Sequence, residues 1–346
     1  MSEGAIGTMV GAGGVAAIVS AAGTWVVWRM VGRWQILDRP NERSLHRVPV
    51  PTMGGLGIVA GFWAGMAVWR CMPGGQFVPA GLFSALGAAT LVLLLVTGDN
   101  IGRPLRVWEK ALLQVLATAA WLYWGPHLES LTLPGLGPVE LGAWGTWLTA
   151  LWLVGMCNVY NFMDGLDGMT AGQTVLVGGL LLACYVHLGS PLAMLAALLV
   201  ASAAGFLVFN LPPARIFMGD VGAVFLGFAV GALGVLGEPA GFPLWLFAAV
   251  LGYYLFDTTY TLVRRAGRRE NLLRAHRKHL YQRLDKLGWS HGRIDLGSLL
   301  VTLLLGGGAG AYLCWGRGLG GALMLSGAAI LILTATWVER RDRDFA

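Results

Sequence analysis

The 346-residue chain holds 56% hydrophobic and only 12% charged residues, about half the roughly 25% charged content of a soluble globular chain. Its 24 Lys and Arg exceed its 18 Asp and Glu, but with a mean hydropathy of +0.66 that excess must be read by position and not as a nucleic-acid signal. A soluble cytosolic enzyme, a secreted disulfide scaffold, a disordered chain and a nucleic-acid-binding domain are excluded; the expected fold class is all-α, a polytopic integral membrane protein forming one membrane-embedded domain over residues 1–346.

A span takes roughly 20 apolar residues. Eleven stretches qualify, near 5–31, 54–72, 79–97, 108–124, 143–161, 168–187, 191–210, 221–236, 241–264, 295–315 and 319–338. The first is too long for a signal-peptide core and its positive charges follow it, so it reads as a retained transmembrane helix. Cys71, Cys157, Cys184 and Cys314 lie in or beside apolar runs without metal-ligand spacing and read as small apolar residues. Alternating eleven spans puts 22 of the 24 Lys and Arg on one side, with only Arg70 and Arg317 on the other. This places the N-terminus outside and the C-terminus in the cytoplasm.

The same cytoplasmic side holds 14 of the 18 acidic residues, gathered in dense polar clusters. In chain order these are DRPNERSLHRVPVPTMGG (38–55), GDNIGRP (98–104), NVYNFMDGLDG (158–168), NLPPARIFMGD (210–220) and RRENLLRAHRKHLYQRL (268–284). In the first, Pro40, Pro49 and Pro51 exclude a regular helix, while Arg43, His46 and Arg47 supply cations. The outer loop near 125–142 alternates weakly around a Pro-Gly and is expected to form a small hairpin without chemistry.

Carboxylates at membrane depth are costly and read as functional by default. Asp164 and Asp167 follow an apolar run, with Asn158 and Asn161 a turn earlier; if the helix continues, Asn161 and Asp164 share a face, as do Asp164 and Asp167. Asp99 and Asp220 also border apolar runs. Four such aspartates with asparagines, on an arginine-rich face, suit oxygen ligation of Mg²⁺ beside phosphates, whereas for any one of them helix capping is an equal explanation. Asp257 lies inside the ninth span, where it reads as a pocket wall or a helix–helix hydrogen bond.

The largest cytoplasmic loop, about 265–294, is expected to be an amphipathic helix, because Leu272, Leu273, His276, His279, Leu280 and Leu284 recur at three- and four-residue intervals. His276 and His279 lack a third zinc ligand nearby, and with Arg274, Arg277, Lys278 and Arg283 around them they better describe diphosphate recognition. A basic helix on anionic lipid is the bland alternative.

Taken in order, DRPNERSLHRVPVPTMGG, NFMDGLDG, ARIFMGDVGAVFLG and AHRKHLYQRL followed by GWSHGR resemble the polyprenyl-phosphate N-acetylhexosamine-1-phosphate transferase family. The last motif is similar to the branch that initiates O-antigen and exopolysaccharide carriers. The resemblance implies transfer of a sugar 1-phosphate from a UDP-N-acetylhexosamine to undecaprenyl phosphate in a bacterial inner membrane, with release of UMP, dependent on Mg²⁺ or on Mn²⁺ in its place. A homodimer is compatible with it. It also implies residue roles: Asp220 as metal carboxylate with Asp164 beside it, and Asp99, Asp164 and Asp167 as catalytic residues. Asn158 and Asn161, Arg43 and His46, Lys110, and Arg274, His276, Arg277 and His279 would contact substrate. One departure stands out: the family's adjacent aspartates after the third span are here Gly98-Asp99-Asn100. A transporter or flippase of an anionic lipid-linked sugar is the competing reading, but such proteins place their polar groups near the midplane.

Overall fold

The computed structural model describes residues 3–40, 45, 48–72, 80–98, 104–272, 274 and 276–343. Its helices are α1 (Glu3–Arg33), α2 (Gly55–Cys71), α3 (Ala80–Leu94, followed by a 3-10 turn Leu95–Thr97), α4 (Val107–Trp124), α5 (Trp144–Met163), α6 (Met169–His187) and α7 (Leu192–Asn210). There follow α8 (Gly219–Gly237), α9 (Leu244–Val250), α10 (Gly252–Gly267), α11 (Leu280–Lys286), α12 (His291–Trp315) and α13 (Arg317–Arg343). Two short antiparallel ladders join them, β1 (Leu37–Asp38) with β2 (Val50–Pro51) and β3 (Ser130–Leu133) with β4 (Gly137–Glu140). The second is the hairpin expected near 125–142.

Every one of the eleven apolar segments contains a helix. Among the described residues, six helices (α1, α6, α7, α8, α12 and α13) are long and apolar enough to cross a bilayer, and the bent pair α9–α10 makes a seventh if it counts as one span. The molecule is a nearly all-helical, multi-pass membrane protein.

Helix α8 forms the centre, buried along almost its whole length. Around it, lipid-like side chains cannot drive helices together by hydrophobicity, so close backbone packing must do so. Gly57, Gly61 and Gly65 recur every four residues along one face of α2, against α1; a Cβ on Gly57 would sit 2.2 Å from Thr24 Oγ1, and one on Gly61 2.4 Å from Ala16 O. The Ser20 hydroxyl then donates to Ser202 O of α7 at 2.6 Å, a buried polar tie between α1 and α7.

Two expectations need correction, and one conditional reading fails. The ninth segment is not one helix: α9 and α10 meet at an angle of 87° around Leu251. Helix α10 buries its polar stripe of Asp257, Thr258, Thr261 and Arg265 and exposes Val263, the inverse of a soluble helix. The bend turns this stripe onto the site end of the bundle. The condition under which Asp164 and Asp167 would share a helical face is not met: the helix stops at Met163, with Asp164 at φ −84°, ψ 65° and Gly168 at φ 76°. The amphipathic helix of the large loop shrinks to α11. The described residues between Arg268 and His279 are irregular, and the buried Arg265 guanidinium takes the carbonyls of Asn271, Leu272 and Arg274 at 2.5, 3.3 and 3.1 Å. Those acceptors are thereby drawn to a side chain instead of into a helical ladder.

Candidate active site

The site forms where helix ends and loops converge at one end of α8. Helix α4 starts cleanly among charges because the Glu109 side chain reaches back and accepts the Arg106 N–H at 2.6 Å. That puts Lys110 in its first turn. Asp220 occupies the first turn of α8, where the helix dipole favours a carboxylate. Lys110 Nζ donates to Asp220 Oδ2 at 2.5 Å, and Asn161 Nδ2, near the end of α5, donates to Asp220 Oδ1 at 3.1 Å. Both oxygens of Asp220 thus face side chains from other helices, and about a quarter of the residue stays open to solvent.

The IFMGD loop is held against the first polar cluster by backbone. Phe217 N–H donates to Pro51 O at 2.8 Å, while Gly54 and Gly55 N–H donate to Phe217 O and Met218 O at 2.9 Å each. From the other side Asp167 Oδ2 accepts the Ala214 N–H at 2.9 Å. Asn210 accepts the Gly168 N–H and donates to Ile216 O, each at 3.0 Å. Asp167 therefore links the NFMDGLDG loop to the strand of chain that delivers Asp220.

Asp164 caps the C-terminal end of α5, one turn beyond Asn161. Burial pushes its carboxyl up to about 7; a Thr170 hydrogen bond opposes this, and the nearby Asp220 and Asp38 carboxylates reinforce it. Asp164 thus lies within electrostatic reach of both Asp220 and Asp38, and Lys110 is paired with Asp220.

The histidine loop closes over the same place. His276 and His279 stack with ring centroids 5.0 Å apart, and the Phe162 ring lies 5.6 Å from His279 and 6.5 Å from His276. The Tyr281 hydroxyl donates to Phe162 O at 3.1 Å. Gly165 makes this fit, since a Cβ there would stand 2.1 Å from the Tyr281 oxygen. Burial, together with the charges of His279, Arg265 and Lys278, pushes His276 down to about 4, so its ring is neutral at pH 7; its buried Nδ1 has no hydrogen-bond partner. Beside it opens a cavity of about 530 Å³, lined by Arg274, Arg277, Lys278 and Lys286 among others. Within that lining, Arg277 is paired with Asp285 and Lys278 with Glu270, each at 2.7 Å. The Lys278 hydrogen bond, backed by Arg265, holds the Glu270 carboxyl below its ordinary value.

The structure therefore brings together Lys110, Asn161, Asp164 and Asp220, sets His276 and His279 on the adjoining Phe162, and gives Asp167 to the loop scaffold. Asn158 lies a turn back from Asn161 in α5 and donates to Gln114 Oε1 of α4 at 2.7 Å. Arg274 stands exposed at the cavity. Arg43, His46 and Asp99 lie outside the described residues. Reading by position missed Gln114, Asn210, Arg265 and Tyr281, whose partners are remote in sequence.

The motifs have likenesses elsewhere. The glycosyl transferase family 4 profile matches residues 82–238, from α3 to the end of α8. A probable undecaprenyl-phosphate N-acetylglucosaminyl 1-phosphate transferase of Bacillus subtilis (strain 168) is 32% identical over 302 residues, covering 84% of this chain and 81% of its own. The chain belongs to glycosyl transferase family 4, the polyprenyl-phosphate sugar-1-phosphate transferases. Among its relatives are a phospho-N-acetylmuramoyl-pentapeptide-transferase of Synechococcus sp. (strain JA-2-3B'a(2-13)), 33% identical over 308 residues (82% of this chain, 86% of the relative). A decaprenyl-phosphate N-acetylglucosaminephosphotransferase of Mycobacterium leprae (strain TN) is 28% identical over 362 residues (94% and 90%). The protein is an enzyme of this family, and the transport alternative falls with that.

Proposed function

We propose that this transferase moves an N-acetylhexosamine 1-phosphate from its UDP ester to undecaprenyl phosphate at the cytoplasmic face of a bacterial inner membrane. It would do so through eleven spans with the N-terminus outside, an orientation supported by the 22-to-2 distribution of Lys and Arg. Relatives whose names specify N-acetylglucosamine favour that sugar. The observation that carries the reading is the convergence of Asp220, Lys110, Asn161 and Asp164 beneath the histidine loop.

The acceptor's phosphate oxygen attacks the phosphorus that bears the sugar, and the bond from that phosphorus to the UMP oxygen breaks. Two anionic substrates must meet, so the site has to supply positive charge without filling itself with fixed ion pairs. Lys110 and the loop cations Arg274 and Lys286 supply part of it. The residues present also fit a divalent cation: Asp220, Asp164 and Asn161 are hard oxygen donors, and the Asp220 carboxylate acts on Asp164 closely enough to raise its pKa, a repulsion a cation between them would relieve. When bound, Mg²⁺ would neutralise the diphosphate and the UMP leaving group. Lys110 then has a phosphate to meet in place of Asp220. Asp167 and Asn210 keep the IFMGD loop from shifting as the substrates enter, and Asp99 is proposed to orient the acceptor phosphate.

The test is UMP release by purified protein with undecaprenyl phosphate, Mg²⁺ and a panel of UDP-N-acetylated sugars. Release that requires both lipid and metal is expected. Absence of release with every donor, from protein shown to be folded, would overturn the reading.

A further inference from the structure

One fully buried carboxylate has no part in that mechanism. Asp257, in α10, has no exposed surface and faces four donors. Its Oδ1 accepts the Leu280 N–H at 2.8 Å and the Thr261 hydroxyl at 3.2 Å, and lies 3.1 Å from His279 Nδ1; its Oδ2 accepts the Tyr281 N–H at 3.0 Å. Three of the four contacts crowd Oδ1 and one falls on Oδ2, so both oxygens are engaged by the protein. Two of the donors are backbone N–H groups, which only donate, so the same oxygen that takes the Leu280 N–H presents acceptor density to the histidine nitrogen.

The consequence falls on His279. A carboxylate oxygen at Nδ1 selects the tautomer with its hydrogen on Nδ1, leaving Nε2 to meet a ligand. The ring cannot turn to undo this. Phe162 and His276 pack against it at 5.6 and 5.0 Å, and the residue is 3% exposed. Its backbone N–H is tied to Gln282 Oε1 at 3.2 Å, fixing it as the cap of α11. One turn on, Arg283 Nη1 donates to Glu339 Oε1 of α13 at 2.9 Å, so α11 is held at its start and at its middle by carboxylates of two other helices. Among the described residues, the titratable groups in contact with the ring are Asp257 from α10, His276 from the loop and Tyr281 from α11, and Phe162 packs on it from α5.

We propose that Asp257 is a positioning residue, holding His279 in the Nδ1–H tautomer so that Nε2 faces the donor's diphosphate. With a second proton on Nε2, the ring is an imidazolium balanced by Asp257, and Nε2–H donates to a phosphate oxygen. The ring makes no bond to phosphorus. This deepens the transferase reading and rests on it for the identity of the ligand, but not for the state of the ring.

The decisive measurement is ¹⁵N NMR of histidine-labelled protein in detergent, with the His279 signals assigned as those lost in His279→Gln. A protonated Nδ1 is expected in the wild type, and its loss or a large shift is expected in Asp257→Asn, whose amide can donate to the ring. An unprotonated Nδ1 in the wild type overturns the proposal whether or not the variant folds and whatever the enzyme's substrate. In UMP release, Asp257→Asn should lower kcat roughly 10- to 100-fold, in the range of other residues that orient a functional histidine, with KM little changed. Pairing it with His279→Gln should cost little more than either change alone. Fully additive losses, or a folded Asp257→Asn with wild-type kcat, overturn it. A wild-type enzyme that releases no UMP would instead count against the transferase reading, leaving the spectroscopic result to stand by itself.

Discussion

At the C-terminal end of α8, Glu238 is buried and accepts the Thr132 N–H at 2.6 Å and the Leu244 N–H at 2.5 Å, tying the β3–β4 hairpin to the start of α9. At the N-terminal end, Asp220 accepts instead from the side chains of Lys110 and Asn161. Both are carboxylates satisfied by two donors, yet the donors differ in kind. Backbone N–H groups cannot leave without unmaking the hairpin or the helix start. An ammonium on a four-carbon stem and an amide at a helix end can turn toward a ligand and back. The same interaction is thus structural at one end and exchangeable at the other, and the exchangeable end is the one crowded with further acidic groups.

Substitutions at the two ends should separate these uses. The largest effect on turnover is expected from Asp220→Asn, which keeps the shape but removes the charge. UMP release should fall roughly 1,000-fold, comparable with the loss of a principal electrostatic group in other enzymes, while thermal unfolding in detergent changes little. Asp164→Asn should abolish turnover to a similar degree and yet raise the melting temperature of metal-free protein, because it removes an acidic group within electrostatic reach of Asp220 and Asp38. A lowered melting temperature would show that Asp164 is structural after all.

Gly165→Ala comes next, with a fall of about 100-fold, the scale of a small misplacement of catalytic groups. Its Cβ would collide with the Tyr281 hydroxyl, and Tyr281→Phe in the same chain should recover part of the loss.

Acid should act more gently through His276. Its folded value of about 4 lies below the ordinary 6.5, so between those values the unfolded chain binds more protons. Its contribution to stability is complete above pH 6.5 and is lost as pH falls toward 4. Melting temperatures measured across that window should decline less steeply in His276→Gln.

Glu238→Gln should leave kcat unchanged. It turns one acceptor into a donor facing a backbone N–H, which costs about 1–3 kcal/mol and should appear only as a lower melting temperature.

The sequence by itself determined the segments and the chemistry they border. Apolar runs must be helical where no water can satisfy the backbone, so each predicted segment holds a helix, and a two-residue turn signal sufficed for the hairpin. Asp164 and Asp220 stood out because charge is rare in this chain and each borders an apolar run, Asn161 stood out by its place a turn before Asp164, and Lys110 came only from the family resemblance. The tertiary structure decided what periodicity cannot express. The α9–α10 bend and the irregular loop before α11 involve acceptors and donors many residues apart, above all Arg265 drawing three loop carbonyls to itself. Asp167 looks equivalent to Asp164 in the motif, and only the Ala214 N–H brought beside it distinguishes the loop anchor from the crowded acid. Asp257 could be named as an unusual intramembrane carboxylate, but its partner His279 is 22 residues away, beyond any helical spacing. Local composition fixes where polar groups can afford to be, and only the folded chain fixes which of them meet, because hydrogen bonds act over a few ångströms of space and are indifferent to distance along the chain.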